Sequence, residues 1–328
     1  MIPHLHSDPV RIACWGNNGH QVDGALRDCP YARLVAVGGM PRPAWAEGIP
    51  HFDRLDRLLE SGTAELVVLC SPRRADQAAD AMLCLAAGRH VLAEKPCALD
   101  EAELERLISA AGASGLVFHE MAGTAFIHPW LALRRLIDSG RLGQVIQITA
   151  QKSYPMHAGR PHDEAVDGGI IRQCAVHALR FLEHGCGQRI RGVQAWHSTV
   201  ASPAPSGLVT SAGLLVELDG GAVATVCANY ANPPGFGQWG DDQLRLWGSG
   251  GMVEITRGAT QSRVVLGDQD LGPLVREDTD FDWLHAVCAQ IRGWDGFPIT
   301  LADELSPTRW ALRARVGART VTTATLQR

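Results

Sequence analysis

The first third of the chain carries five short apolar runs, at residues 10–15, 34–37, 65–70, 90–93 and 115–119, separated by glycine turns and helical patterns. Apolar runs this short read as strands buried on both faces, a property of parallel sheets whose crossover helices cover each side. The intervening signals agree. Residues 16–20, Gly-Asn-Asn-Gly-His, make a turn into a helix expected to reach about Cys29, and residues 55–61 form a short helix after a loop at 38–43. Another helix at 77–87 is closed by Gly88, and Asp100 caps one that runs through Ala111. This alternation predicts an α/β fold with a doubly wound parallel sheet, in which ligands bind beyond the carboxyl ends of the strands.

Past residue 122 the pattern changes. An amphipathic helix at 129–139 ends at Gly140, a partly alternating strand follows at 144–154, and a helix within 166–186 is expected to begin near Ile171. Residues 191–200, 208–218, 222–230, 243–247, 252–256 and 263–266 are β-rich and joined by Gly, Pro and Ser turns. Asp219-Gly220-Gly221 is a hairpin signal among them. Helices at 281–292 and 305–316 close the chain. The prediction here is an α+β domain with a large open, mostly antiparallel sheet. A chain of 328 residues exceeds one small core, so two domains are expected, at 1–122 and 123–328.

Composition removes several functions. A net charge of −5 and a pI near 6.2 leave no basic surface for nucleic acid. No apolar run approaches the roughly 18 residues needed to span a bilayer, and the opening MIPHLHSDPV lacks the basic and apolar regions of a secretory signal. The nine cysteines form no CxxC pair, and Cys70, Cys84, Cys174, Cys227 and Cys288 lie in apolar patterns. Buried, reduced thiols in the cytoplasm explain them.

The candidate chemistry gathers at the strand ends. The fourth run, HVLA at 90–93, breaks into Glu94-Lys95-Pro96 at the edge where ligands bind. Lys95 is either a donor to a substrate oxygen or a solvated lysine before a turn proline. His119 and Glu120 end the last strand of the sheet. A polar loop holds Tyr154, His157, Arg160, His162, Asp163 and Glu164, which serve an anionic substrate and acid/base chemistry or simply face solvent. Its spacing matches no zinc motif, so no metal is expected. Residues 232–242 set Phe236 and Trp239 among glycines, as a substrate lid or as an ordinary packed connection.

Several of these segments, taken together, resemble the Gfo/Idh/MocA oxidoreductases (glucose–fructose oxidoreductase, inositol dehydrogenase and relatives). The resemblance rests on LVVLCSP, GRHVLAEKP, Pro129 with LRRLIDSGRLGQV after it, GGIIRQCAVHALRFL and FDWLHAV, and spans essentially the whole chain. It implies a Rossmann domain and a substrate domain. The implied reaction moves hydride between NAD(P) and a hydroxyl or carbonyl of a small sugar-like or cyclic metabolite. It also implies that Gly16, Asn17, Asn18, Gly19, Gly39, Arg42, Ser71, Pro72, Glu94 and Lys95 serve the cofactor, and that Lys95, His177 and Gln173 serve catalysis.

Three departures qualify it. The glycine turn reads Cys14-Trp15-Gly16-Asn17-Asn18-Gly19, with Cys14 in place of the first glycine. Gly16 and Gly19 remain, which leaves helix N-terminal amides to hold phosphate. At the end of the second run Gly39 stands where NAD-preferring members place a carboxylate, and Arg42 follows, so NADP is favoured over NAD. The family's aspartate four residues before the helix histidine is Gln173 here, with Arg180 three residues beyond His177. A glutamine orients a histidine without supplying charge. A lyase, isomerase or hydrolase on the same scaffold, with the cofactor recycled or absent, and a non-catalytic ligand-binding protein are the competing readings. Partners are expected to be a small-molecule substrate and, because an open sheet leaves one face uncovered, further copies of the chain in a dimer or tetramer.

Overall fold

The computed structural model describes residues 2–3, 8–121, 123–203, 206–276 and 281–321. They fall into two compact units. Unit 1 comprises Met1–Ala122, Ala165–Gly168 and Asp280–Leu305; unit 2 comprises Gly123–Glu164, Gly169–Thr279 and Ser306–Arg328.

Unit 1 is built on strands β1 (Val10–Trp15), β2 (Ala32–Gly38), β3 (His51–Phe52), β4 (Leu66–Leu69), β5 (His90–Ala93) and β6 (Phe118–Glu120), all parallel. Their order is β3-β2-β1-β4-β5-β6. The order reverses between β1 and β4, so the ligand crevice of such a sheet opens beyond Trp15 and Leu69. Helices α1 (Leu55–Glu60), α2 (Gln77–Ala86) and α3 (Glu101–Ser114) fill the crossovers. Asp100 caps α3 by accepting from the Glu103 amide, and Gly115 ends it in the left-handed region.

One expected helix is missing. The stretch after Gly19 forms a single 3₁₀ turn, Asp23–Leu26, instead of a helix to Cys29. Gly19, Gly24 and Pro30 leave only short helix-competent stretches, and an isolated turn of that length does not hold itself together.

In unit 2 helix α4 (Trp130–Asp138) precedes β7 (Val145–Ser153). A single turn, α5 (Glu164–Asp167), leads to helical residues 171–185 centred on α6 (Val176–Arg180). Strands β8 (Ile190–Ser198), β9 (Ser211–Leu218), β10 (Val223–Asn229), β11 (Asp241–Gly248), β12 (Gly251–Thr256), β13 (Gln261–Leu266) and β14 (Gln269–Gly272) follow. With β15 (Arg319–Thr320) they make a nine-stranded sheet, mostly antiparallel, in which β7–β10 and β8–β15 pair in parallel. The β9–β10 hairpin turns at Asp219–Gly221 with Gly220 and Gly221 at positive φ, as the sequence predicts.

Two helices complete the described chain. Helix α7 (Trp283–Ile291) belongs to unit 1: Leu284, Val287 and Cys288 share a core with Val10, Ile12, Cys14, Leu66, Val68 and Leu92. It covers the sheet face on which the broken first crossover places buried Leu26 with partly buried Val22 and Cys29. In this division α7 goes with residues 1–122, across the boundary expected at 122. Helix α8 (Leu301–Val316) contains Pro307, beside the point where the units divide. All nine cysteines are free thiols; seven are buried, but Cys227, expected inside, is exposed because alternation along β10 turns it outward. No helix among the described residues is long and apolar enough to cross a membrane.

Candidate active site

The crevice edge of unit 1 is organised by close backbone approach. Cys14 takes the first-glycine position without crowding, because its side chain points into the core beside Val10 and Ile12, and burial pushes its thiol pKa upward. The turn comes at Gly16, φ +76°, where a Cβ would lie 2.0 Å from the Cys70 carbonyl oxygen. Gly39, φ +61°, backs onto it, since a Cβ there would come within 3.3 Å of the Gly16 nitrogen. At Gly19 a Cβ would meet the Glu94 side chain at 2.4 Å.

The loop amides are largely used within the protein. Those of Gly16, Asn18 and Gly19 donate to the carbonyls of Gly38, Cys70 and Asn17. The His20 amide donates to Glu94 Oε2 at 2.7 Å. The helix N-terminus expected to hold phosphate is therefore absent, and most amides that would replace it are occupied.

Glu94 is the electrostatic centre of this edge. Its buried Oε2 also receives the His20 ring at 2.8 Å, and its Oε1 accepts the Lys95 amide at 3.1 Å with Lys95 Nζ 3.9 Å away. Burial alone would raise the Glu94 carboxyl; the hydrogen bond from His20 and the charges of Lys95, His20 and Arg74 outweigh it and lower its pKa to about 2. Lys95 is itself only 5% exposed and precedes a cis bond to Pro96. A neighbouring carboxylate favours the charged form of a buried lysine, the form that donates to an oxygen.

Other predicted residues take supporting places. The Ser71 amide donates to Gln77 and its hydroxyl to Asp80, while Asn18 Nδ2 donates to the Pro72 and Val166 carbonyls. Gln77 Nε2 donates to the carbonyls of Leu69 and Glu94, tying together the ends of β4 and β5. Glu120 accepts the Cys97 amide. His119 lies between Glu304 Oε2, at 2.5 Å from Nδ1, and Gln290 Oε1, at 2.7 Å from Nε2, with Phe297 stacked on its ring. Burial works against its protonation, but Glu304 and Gln290 outweigh it and raise the pKa, and the ring joins β6 to the later helices. Arg42 is exposed in the loop after Gly39, and no polar partner distinguishes Asn17.

Sequence reasoning missed Arg74. It is 3% exposed, Nη2 donates to the Asn18 carbonyl, and Nε and Nη1 have no hydrogen-bond partner among the described residues. The signal was present in the Arg73-Arg74 pair directly after LVVLCSP, at the carboxyl end of β4. These orphaned donors are the observation that a phosphate-bearing dinucleotide fits this edge. Buried polar groups are normally satisfied, and an anionic group would satisfy these.

In unit 2 the helical residues 171–185 depart from α-geometry at both ends, where Ile171–Ala175 and Phe181–Gly185 make wider π-turns around α6. Buried His177 accepts or donates through Nε2 to the Tyr154 hydroxyl at 3.1 Å. Tyr154 lies beneath Lys152 Nζ, 4.9 Å from the ring centroid, and 6.2 Å from the Trp239 ring, which in turn approaches His157 at 5.1 Å. Gln173 stands four residues before His177, its amide donating to the Gly169 carbonyl, and Arg180 is fully buried.

The rest of the polar loop is divided. Arg160 lies buried over the Tyr230 ring at 3.9 Å, and Glu164 receives Arg172 and Arg315. His162 and Asp163 are exposed beside His197 and Arg315. The structure thus brings Tyr154, His157, His177 and Trp239 together, with the Arg160 amide donating to the His157 carbonyl, while Glu164 engages Arg172 and Arg315.

Two family models match. "Oxidoreductase family, NAD-binding Rossmann fold" matches residues 32–121 and "GFO/IDH/MocA C-terminal domain" residues 130–254. The first match begins beyond the unusual glycine loop. A dTDP-3,4-didehydro-2,6-dideoxy-alpha-D-glucose 3-reductase of Streptomyces violaceoruber is 35% identical over 122 residues, 35% of this chain and 35% of that protein. A trans-1,2-dihydrobenzene-1,2-diol dehydrogenase of Mus musculus is 25% identical over 214 residues, 63% of this chain and 60% of that protein. The matched stretches thus span less than two thirds of either relative. A 3-ketoreductase of Actinomadura kijaniata, solved with TDP-benzene and NADP, shares the fold at a TM-score of 0.74 and 21% identity, covering 96% of this chain and 99% of that one.

Proposed function

The chain belongs to the Gfo/Idh/MocA oxidoreductase family, and from that premise we propose that it is an NAD(P)-dependent oxidoreductase. Its substrate is a small sugar-like or cyclic metabolite with a hydroxyl or carbonyl as the reacting group. The observation that carries this reading is Lys95, buried at the carboxyl end of β5 beside a Glu94 carboxylate held ionised. When bound, the nicotinamide supplies or accepts the hydride.

The protein's own groups handle the oxygen and its proton. Lys95 donates a hydrogen bond to the substrate oxygen, stabilising negative charge there as a carbonyl is reduced or a hydroxyl loses its proton. His177, hydrogen-bonded to Tyr154, exchanges that proton, so the phenol takes the orienting place of the absent carboxylate. Gln173, one turn earlier, helps position the ring. Gly39, where a carboxylate would disfavour a 2′-phosphate, and the exposed Arg42 favour NADP over NAD. The nine free thiols accord with a cytoplasmic setting.

Lys95→Met tests the reading. Hydride transfer at saturating dinucleotide should fall roughly 100-fold or more, since loss of a charged transition-state donor costs about that much. Activity within a few-fold of wild type would remove Lys95 from the chemistry.

A further inference from the structure

We propose that Arg74 is the anchor for the dinucleotide's pyrophosphate, replacing the helix N-terminus that this chain has lost. The inference rests on the cofactor reading above and adds a binding residue to it.

In a sheet of this order the pyrophosphate normally meets amides and dipole at the start of the first crossover helix. Here that helix is one 3₁₀ turn, Asp23–Leu26, too short to present either. The loop amides of Gly16, Asn18, Gly19 and His20 already have protein acceptors. A dinucleotide at this edge would find little backbone to hold its two negative charges.

Arg74 stands at the same loop from the opposite wall. It follows β4, the neighbour of β1 at the point where the strand order reverses. Nη2 fixes the guanidinium to the Asn18 carbonyl, and the side-chain stem is braced by Gly168, where a Cβ would come within 3.3 Å of Arg74 Cγ. Gly168, at φ +97°, thus keeps its own chain close to the arginine. Nε and Nη1 remain, buried and without a hydrogen-bond partner among the described residues, on either side of the Nη2 that holds the Asn18 carbonyl. Among the described residues Arg74 has no carboxylate within ion-pair distance; of the buried carboxylates whose charge it feels, Glu94, Asp167 and Glu120, Glu94 binds His20 and the Lys95 amide and Glu120 the Cys97 amide.

A fixed, desolvated guanidinium with donors that no protein acceptor uses suits the charged oxygens of a diphosphate. Its burial separates this role from that of exposed Arg42, which would address only a 2′-phosphate.

Calorimetric titration of the full chain with ADP and with adenosine tests the assignment, because the two differ only in the diphosphate. The wild type should prefer ADP. Arg74→Gln, which keeps a donor for the Asn18 carbonyl, should cut that preference roughly 10- to 100-fold, the worth of hydrogen bonds to a charged group, with adenosine binding unchanged. Arg74→Lys should restore part of it, as a point charge. If Arg74→Gln leaves the ADP-to-adenosine ratio as in the wild type, whether or not both ligands weaken together, Arg74 only staples the loop and the proposal is overturned. Failure of the wild type to bind ADP, NADP(H) or NAD(H) at millimolar concentration overturns the cofactor reading itself, and this one with it.

Discussion

Glu94 shows how one buried side chain organises a neighbourhood. It explains why residue 19 is glycine, takes the His20 amide and ring, and sits beside the Lys95 ammonium. Its pKa is lowered from 4.5 to about 2, so it contributes stability that is fully present above about pH 5 and is lost as the pH falls toward 2. A shift of that size corresponds to roughly 3–4 kcal/mol at neutral pH. Glu94→Gln should therefore lower the thermal midpoint markedly at pH 7, and the gap to wild type should close as both are titrated toward pH 3. A gap that stays constant over this range would show that the charge of Glu94 is not what stabilises the loop. Of the residues around it, Lys95 was legible because EKP closes an apolar strand. Arg74 left only the Arg73-Arg74 pair after LVVLCSP as a mark; in unit 2 the Tyr154–His177 contact, between a strand end and a distant helix, leaves none on composition.

At the level of elements, legibility follows how local the cause is. The strands β4 and β5 are continuous apolar runs, and α3 announces itself through the Asp100 cap and Gly115. The hairpin at Asp219–Gly221 depends only on glycines at positive φ. The failures are non-local. The first crossover helix is lost because its glycines and proline outweigh its few apolar residues. Helix α7 covers that face instead, from a position more than 250 residues later in the chain. Two-residue β3 is too short to carry any period. The account of α7 predicts that Leu284→Ala destabilises the protein by about 2–3 kcal/mol, the lower part of the range for a buried leucine. Denaturant unfolding measures this, and a change below about 0.5 kcal/mol would mean that α7 adds nothing to the core of unit 1.

For the whole molecule, the nine-stranded sheet exposes large apolar side chains among the described residues. Exposed Ile146, Trp196, Leu215 and Val223 lie on adjoining strands β7, β8, β9 and β10, and an apolar surface of this kind is characteristic of a self-association face. The expected state is a homo-oligomer, and sedimentation analysis should return a mass of at least twice 35.3 kDa at micromolar concentration. Leu215→Glu should shift it toward the monomer. A wild-type monomer throughout the range would contradict the expectation.

The central claim is that this family member still uses a nicotinamide dinucleotide, despite a glycine loop without its helix. Titration of the purified chain with NADPH and NADH, followed by the fluorescence of the reduced nicotinamide, tests it most directly. The account predicts saturable binding in the micromolar range, tighter for NADPH. Tighter binding of NADH would reverse the assignment built on Gly39 and Arg42, and no binding of either at millimolar concentration would contradict the redox reading altogether.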